Sequence, residues 1–209
     1  MESTSLGLYV LASLALIATP GQDMVYVITR ALAQGRSAGL YSAIGVCLGI
    51  LVHTALAALG VGAILHASES LFVALKLAGA AYLVYLGLRM LLSRDAARID
   101  SAARTRLAPL ALVWQGVLSN VTNPKIVLFF FAFLPQFVDP ASAHPTRDLA
   151  FLGLLYAALA LPVKAAVGLA AGSVSETILR APHALTWMNR ACGALLVGLG
   201  LRLAAFERL

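Results

Sequence analysis

Six long apolar stretches constrain the fold of this chain more than any other feature. They lie near residues 6–29, 39–65, 70–92, 109–134, 149–173 and 185–206. Each is long enough to cross the roughly 30 Å hydrocarbon core of a bilayer as a helix. Apolar residues make up 61% of the chain and charged residues only 11%, which is far from the balance of a globular domain. The sequence therefore predicts an all-α membrane protein, a single transmembrane domain over residues 1–209 with six transmembrane helices.

Polar and helix-breaking residues interrupt two of these stretches. The first contains Thr-Pro-Gly-Gln-Asp at residues 19–23, and the fourth contains Ser-Asn-Val-Thr-Asn-Pro-Lys at residues 119–125. Proline is favoured in the first turn of a helix, and Thr or Asn before it can cap that helix. We therefore predict a half-helix that begins at each proline, capped by Thr19 or Asn123, with Gln22 closing a capping box in the first. Irregular backbone at membrane depth needs protein or water around it, so both breaks should line a pathway.

The chain also carries an internal repeat. Residues 81–89 and 194–202 match at seven of nine positions, and both end in Leu-Gly-Leu-Arg. Two three-helix halves, about 1–92 and 109–209, are joined by a polar cytoplasmic linker at 93–108. Because three is odd, the halves must lie in opposite orientations in the membrane. This is the inverted-repeat plan of many secondary transporters, in which interrupted helices at matching positions point to the binding site.

The distribution of arginine predicts the orientation of the chain. If the N-terminus is outside, nine arginines lie in or beside cytoplasmic loops and three lie on the outer side. Cytoplasmic loops carry an excess of Lys and Arg, so both termini are predicted to be periplasmic. The net charge of +6 comes from basic residues scattered between apolar stretches. We assign this charge to the loops and do not expect binding to nucleic acid.

Polar and ionisable side chains inside the apolar stretches mark the predicted pathway. Such groups are costly in hydrocarbon, so they usually face an interior cavity. The candidates for substrate binding or coupling are Pro20, Gly21, Gln22, Asp23, His53, Asn120, Asn123, Pro124 and Lys125. For His53 a hydrogen-bonded packing role is an equal alternative, and Lys76 is expected to extend towards an interface. Lys164 stays unassigned.

Asp23 and Lys125 are the sharpest candidates because they carry opposite charges in the first turns of the two half-helices. The helix dipole favours a carboxylate at that position and disfavours an ammonium group. Lys125 therefore needs a compensating anion. That anion is either Asp23, in a permanent ion pair, or the carboxylate of a substrate. The sequence leaves both alternatives open.

Taken together, these motifs resemble the LysE/RhtB family of bacterial amino-acid exporters. The resemblance rests on residues 20–23, 35–39, 45–53, 79–83, 123–125 and 133–137. It implies a six-helix protein of the bacterial inner membrane that exports amino acids or their derivatives by proton antiport. Gln22 stands where the family often has a second proline, so the local turn departs from the family pattern.

Other classes of protein fit the sequence less well. A metal-ion efflux protein of a related six-helix family would need a cluster of soft ligands, and His53 is the only histidine well inside a predicted span. The chain has no nucleotide-binding motif and no Ser/His/Asp or metal-hydrolase spacing, so we expect neither a cofactor nor an enzyme. The expected partners are an amino-acid substrate, protons and the lipid bilayer, with a second copy of the chain as an open alternative.

Overall fold

The computed structural model describes residues 3–19, 21–61, 69–92, 106–139, 142–179 and 182–205, and these ranges are helical and contain no strand. Their α-helices are α1 (Ser3–Ala18), α2 (Gln22–Gln34), α3 (Arg36–Leu56), α4 (Glu69–Leu92), α5 (Pro109–Val121), α6 (Pro124–Leu128), α7 (Pro145–Leu179) and α8 (Pro182–Ala205). A π-helical turn (Ala57–Val61) continues α3. A π-helical turn (Phe129–Phe133) and a 3-10 turn (Leu134–Phe137) continue α6. The all-α prediction is confirmed for these ranges.

Long apolar helices confirm the membrane class. In the described part of the chain, Arg36–Gly60 and Pro145–Ala170 are each long and apolar enough to cross a bilayer. The pairs α1–α2 and α5–α6 bend by 47° and 54°, and they bring the number of candidate spans to four if each pair is one span. α4 and α8 contribute the shorter apolar segments Leu77–Leu92 and Gly193–Arg202.

The first predicted break is present, but its capping differs from the prediction. α1 ends at Ala18, and α2 begins at Gln22 after Gly21, whose backbone is extended. The predicted cap by Thr19 is wrong, because Gly21 is the N-cap residue of α2 and no side chain caps this helix. The Thr19 hydroxyl instead donates to the carbonyl of Ala15, four residues earlier, at 2.7 Å. The capping box is wrong as well, since Gln22 is itself the first residue of α2. Pro20 lies outside the described residues.

The second break agrees with the prediction. α5 ends at Val121, and α6 begins at Pro124. The side-chain oxygen of Asn123 accepts a hydrogen bond from the backbone N–H of Lys125 at 3.1 Å. Asn123 is therefore the N-cap of α6, as the local sequence predicts.

Close contacts at glycine residues show in which direction α3 runs relative to its neighbours. Gly45 lies against the carbonyl of Val113, and a Cβ on Gly49 would lie 2.7 Å from Cβ of Asn120. Both pairs ascend together along the chain, so α3 and α5 run in the same direction. α7 runs in the opposite direction to α3, because Gly39 contacts Gly168 whereas the later Thr54 contacts the earlier Gly153.

The packing of α4 on α8 repeats itself at the spacing of the internal repeat. A Cβ on Gly87 would lie 2.6 Å from the carbonyl oxygen of Gly193, and a Cβ on Gly200 would lie 2.8 Å from that of Ala80. Gly87 and Gly200 are 113 residues apart, and so are Ala80 and Gly193. The same shift relates Val84, which contacts Gly200, to Val197, which contacts Gly87. The two helices are antiparallel, and these contacts are related by an approximate twofold axis.

Aromatic side chains pack beside the second break. The ring centroid of Phe129 lies 4.8 Å from that of Tyr156 on α7, and the centroid of Phe137 lies 5.2 Å from that of Tyr9 on α1. Tyr9 donates its hydroxyl hydrogen to the carbonyl of Leu152 at 2.7 Å. α1, α7 and the turns after α6 therefore share one core, which holds the two breaks in place.

Candidate functional site

Three charged side chains are buried in the part of the chain that the structure describes. Asp23 and Lys164 are each 1% exposed, and Lys125 is 6% exposed. Charged side chains are almost never fully buried unless they are paired or hydrogen-bonded. Asp23 lies in the first turn of α2, Lys125 in the first turn of α6 and Lys164 in the middle of α7.

Asp23 is bound from two sides. Its Oδ2 lies 2.8 Å from Nζ of Lys164, and both side chains are 2% exposed. Its Oδ1 accepts a hydrogen bond from the side-chain amide of Asn123 at 3.2 Å. The carboxylate of the first break is thus tied to the capping residue of the second break and to α7. This contact brings the two breaks next to each other.

Lys125 reaches the end of α1. Its ammonium group donates to the carbonyl oxygens of Leu16 and Thr19, each at 3.1 Å. Carbonyl groups at the C-terminal end of a helix have lost their intrahelical partners and carry the negative end of the dipole, so they favour a cation. These carbonyls offset much of the penalty that the start of α6 imposes on a lysine. Residue types alone indicate a carboxylate as the compensating group and do not reveal these backbone carbonyls.

Gly21 lies between the two charges of the predicted pair. A Cβ on Gly21 would lie 3.0 Å from Nζ of Lys125 and 3.5 Å from Oδ1 of Asp23. The absence of a side chain at this position lets both charged groups approach the extended backbone between α1 and α2. Asp23 and Lys125 therefore share one small site, in which Asp23 forms an ion pair with Lys164.

Lys164 is the functional candidate that the sequence left unassigned. It belongs to a series of buried residues on α7 at a spacing of four: Leu152, Tyr156, Ala160, Lys164 and Gly168. Residues four apart lie on one face of a helix, so this face of α7 packs against the rest of the protein. A lysine within such a series requires a counter-ion or hydrogen-bond acceptors opposite to it. Asp23 is the buried acid of the described residues and supplies that partner.

His53 and Asn120 form a second polar group next to the second break. Nε2 of His53 lies 3.3 Å from the carbonyl oxygen of Asn120, and that oxygen also accepts from the backbone N–H of Asn123 at 2.9 Å. Nδ1 of His53 and both side-chain amide atoms of Asn120 are buried without a hydrogen-bond partner among the described residues. His53 is thus connected to Asp23 through Asn120 and Asn123, and does not contact it directly.

The remaining predicted site residues lie at the margin. Gln22 is exposed, and its side-chain amide is 3.4 Å from the hydroxyl of Thr122, across the two breaks. Pro124 is exposed and begins α6. The side chain of Lys76 lies outside the described residues.

The metal-efflux alternative finds no support in the described ranges. They contain no group of three or more His, Cys, Asp or Glu side chains close enough to hold a metal ion. Cys47 is buried and free.

The chain is similar to known membrane proteins over nearly its whole length. The family model described as LysE type translocator matches residues 14–206. An uncharacterised membrane protein of Pseudomonas aeruginosa is 36% identical over 210 residues, which cover 94% of this chain and 93% of the relative. A homoserine/homoserine lactone efflux protein of Salmonella typhimurium is 28% identical, with 94% of each chain covered. A leucine efflux protein of Salmonella choleraesuis is 25% identical, with 95% of this chain and 94% of the relative covered. No solved structure matches the chain.

Proposed function

This chain belongs to the LysE type translocator family, and from that premise we propose that it exports amino acids or their derivatives across the inner membrane of a bacterium. The observation that carries the proposal is the buried cluster of Asp23, Lys125 and Lys164 where two broken helices meet. Intramembrane charges of this kind are expensive and mark the pathway of a substrate. Two of the relatives bear the names of efflux proteins for homoserine, homoserine lactone and leucine, and these names support amino acids and close derivatives as the substrate class.

A zwitterionic amino acid matches the charges of the site. Its ammonium group requires a carboxylate, which Asp23 provides, and its carboxylate requires an ammonium group, which the two lysines provide. The proposed site comprises Gly21, Asp23, Asn120, Asn123 and Lys125, with His53 beside it and with Pro20, Gln22 and Pro124 forming the two breaks.

Proton antiport follows from the same carboxylate. When Asp23 binds a proton, it loses its charge and with it most of its attraction for an ammonium group. A site that alternately faces the two sides of the membrane could then release the amino acid outside and return with a proton on Asp23. Movement of protons in one direction is thereby linked to export in the other.

The helix directions support the proposed architecture of two inverted three-helix halves. In a chain of six spans, the second and fourth spans run in the same direction, and the third and sixth run in opposite directions. α3 and α5 are parallel, and α4 and α8 are antiparallel, as this plan requires. The repeated contacts of Gly87 and Gly200 fit a twofold axis between the halves. With the arginine bias, the plan puts both termini in the periplasm.

Export can be tested in cells that take up dipeptides and hydrolyse them. We expect cells that express the protein to accumulate less of the released amino acid than cells with an empty vector, and to release more into the medium. Leucine- and homoserine-containing dipeptides are the first probes because of the named relatives. Asp23→Asn should abolish the difference, and Arg147→Gln, at an exposed position, should preserve it.

An unchanged amino-acid pool with every dipeptide would contradict the proposal. If the same cells became resistant to cadmium or nickel without any change in their amino-acid pools, metal efflux would be the function instead of amino-acid export.

A further inference from the structure

We propose that Lys164 is the residue that binds the substrate carboxylate, after the substrate ammonium group has taken its place on Asp23. This role rests on the proposed function, since it assigns one end of an amino acid to one lysine. Nζ of Lys164 lies 2.8 Å from Oδ2 of Asp23, which is the position that a substrate ammonium group would take. The same contact therefore serves as an internal substitute for the substrate ammonium group.

The exchange keeps the buried charges of Asp23 and Lys164 paired. An unpaired charge at this depth is strongly unfavourable, because the surroundings cannot replace water. A ligand that brings only an ammonium group would displace Lys164 and leave it without a counter-ion. A ligand that brings only a carboxylate would compete with Asp23 for Lys164 and offer Asp23 nothing. A zwitterion supplies both partners at once, so the pair itself selects for α-amino acids.

The two lysines of the site differ in what their ammonium groups contact. Lys125 donates to the carbonyls of Leu16 and Thr19, which are backbone groups at the end of α1. Lys164 contacts the carboxylate that the substrate ammonium group must reach. Competition for Asp23 therefore acts on Lys164 first.

The surroundings of Lys164 allow its ammonium group to move. Its side chain is long and flexible, with several rotatable bonds between the α7 backbone and Nζ. Pro162 lies two residues earlier within α7 and lacks the N–H that would bond to the carbonyl of Ala158. The helix is thus missing one internal hydrogen bond next to the residue that has to change partners.

Ligand binding to the purified protein tests this assignment. The probes form two sets: leucine, leucinamide and isoamylamine, and homoserine with homoserine lactone. Leucine and homoserine have a free carboxylate, whereas the amide, the amine and the lactone keep only the ammonium group. Dissociation constants come from the rise in melting temperature with ligand concentration. The variants are Lys164→Gln, Lys164→Arg and, as a control at an exposed position, Arg147→Gln.

We expect the wild type to bind leucine or homoserine about ten- to a hundredfold more tightly than its uncharged-carboxyl analogue, the range for a hydrogen bond to a charged group. Lys164→Gln should weaken the binding of the amino acid and tighten the binding of isoamylamine, because no lysine at position 164 then competes with the amine for Asp23. In this variant the ratio of the dissociation constants of the analogue and the amino acid should fall to near one. Lys164→Arg should keep most of the wild-type ratio. Arg147→Gln should match the wild type.

Each contrary result has a distinct meaning. If the wild type binds neither amino acid, the proposed function fails together with this role. If it binds leucine and isoamylamine equally well, the role fails even when Lys164→Gln does not fold. If Lys164→Gln weakens the binding of all ligands by the same factor, Lys164 has only a structural role and the proposed function stands.

Discussion

The buried ion pair of Asp23 and Lys164 predicts a specific pattern of stability in a double-mutant cycle. At 2.8 Å, the gross attraction of two unit charges is about 6 kcal/mol for an effective dielectric constant of 20. Removal of one partner from a buried pair typically costs about 3–5 kcal/mol, because the other charge stays buried without a counter-ion. The variants Asp23→Asn and Lys164→Met should therefore each be destabilised by about this amount.

The double variant Asp23→Asn/Lys164→Met should recover most of the loss. It removes both buried charges, and replacement of a buried pair by neutral residues is often neutral or even stabilising. Asn at position 23 also keeps an oxygen that can accept the hydrogen bond from Asn123. We further expect Asp23→Asn to cost more than Lys164→Met. In Lys164→Met the carboxylate still has Lys125 close by, on the other side of Gly21.

Melting temperatures of the purified variants in detergent measure this cycle. A chain of this length loses about 2–4 °C for each kcal/mol, so each single variant should melt about 6–20 °C below the wild type. The matched control is Arg147→Met, which removes the surface pair with Asp148 at 3.6 Å, where the arginine side chain is 75% exposed. Its cost should stay below about 1 kcal/mol. Two results would contradict the mutual compensation of Asp23 and Lys164. One is that the single variants melt like the control. The other is that the double variant is as unstable as the two single losses combined.

Three further predictions concern packing, the first break and topology. Gly45→Ala should lower stability by about 1–3 kcal/mol, because the new methyl group meets the Val113 carbonyl, while Gly198→Ala, with nothing within 4 Å, should leave the melting temperature nearly unchanged. Gly21→Ala should reduce export with only a small loss of stability, since the methyl group meets the flexible end of Lys125; export at the Gly198→Ala level would contradict this. In a cysteine-free background, an impermeant thiol reagent added to intact cells should label Ala143→Cys and not Ser37→Cys, both at exposed positions, and the reverse result would invert the topology.

The features that local chemistry determines could be predicted from the sequence. The length of the apolar stretches indicates a membrane protein, and the second break follows from Asn123 and Pro124 alone. The cap of Asn123 is a contact with Lys125, two residues later, so neighbouring residues suffice to predict it. The cap by Thr19 could not be predicted correctly, because α2 begins three residues after Thr19, and the Thr19 hydroxyl donates back to the Ala15 carbonyl.

The partners of the lysines depend on packing that the sequence does not show. A membrane helix is apolar all round, so the pattern of α7 does not indicate which face is buried, and Lys164 could not be assigned. Its place opposite Asp23 follows only from the packing of α7 on α2. For Lys125, two of the acceptors are backbone carbonyls at the end of another helix, which residue types do not reveal.

Amino-acid counterflow by the double variant Asp23→Asn/Lys164→Met decides whether the buried charges bind the substrate or only support the fold. Proteoliposomes are loaded with unlabelled leucine or homoserine, and the entry of the labelled amino acid is followed for the wild type and for the variant. The charge cluster is the substrate site in this account, so the variant should insert and melt near the wild-type temperature but show no counterflow. Counterflow by the variant at a rate near that of the wild type would mean that the buried pair only supports the fold.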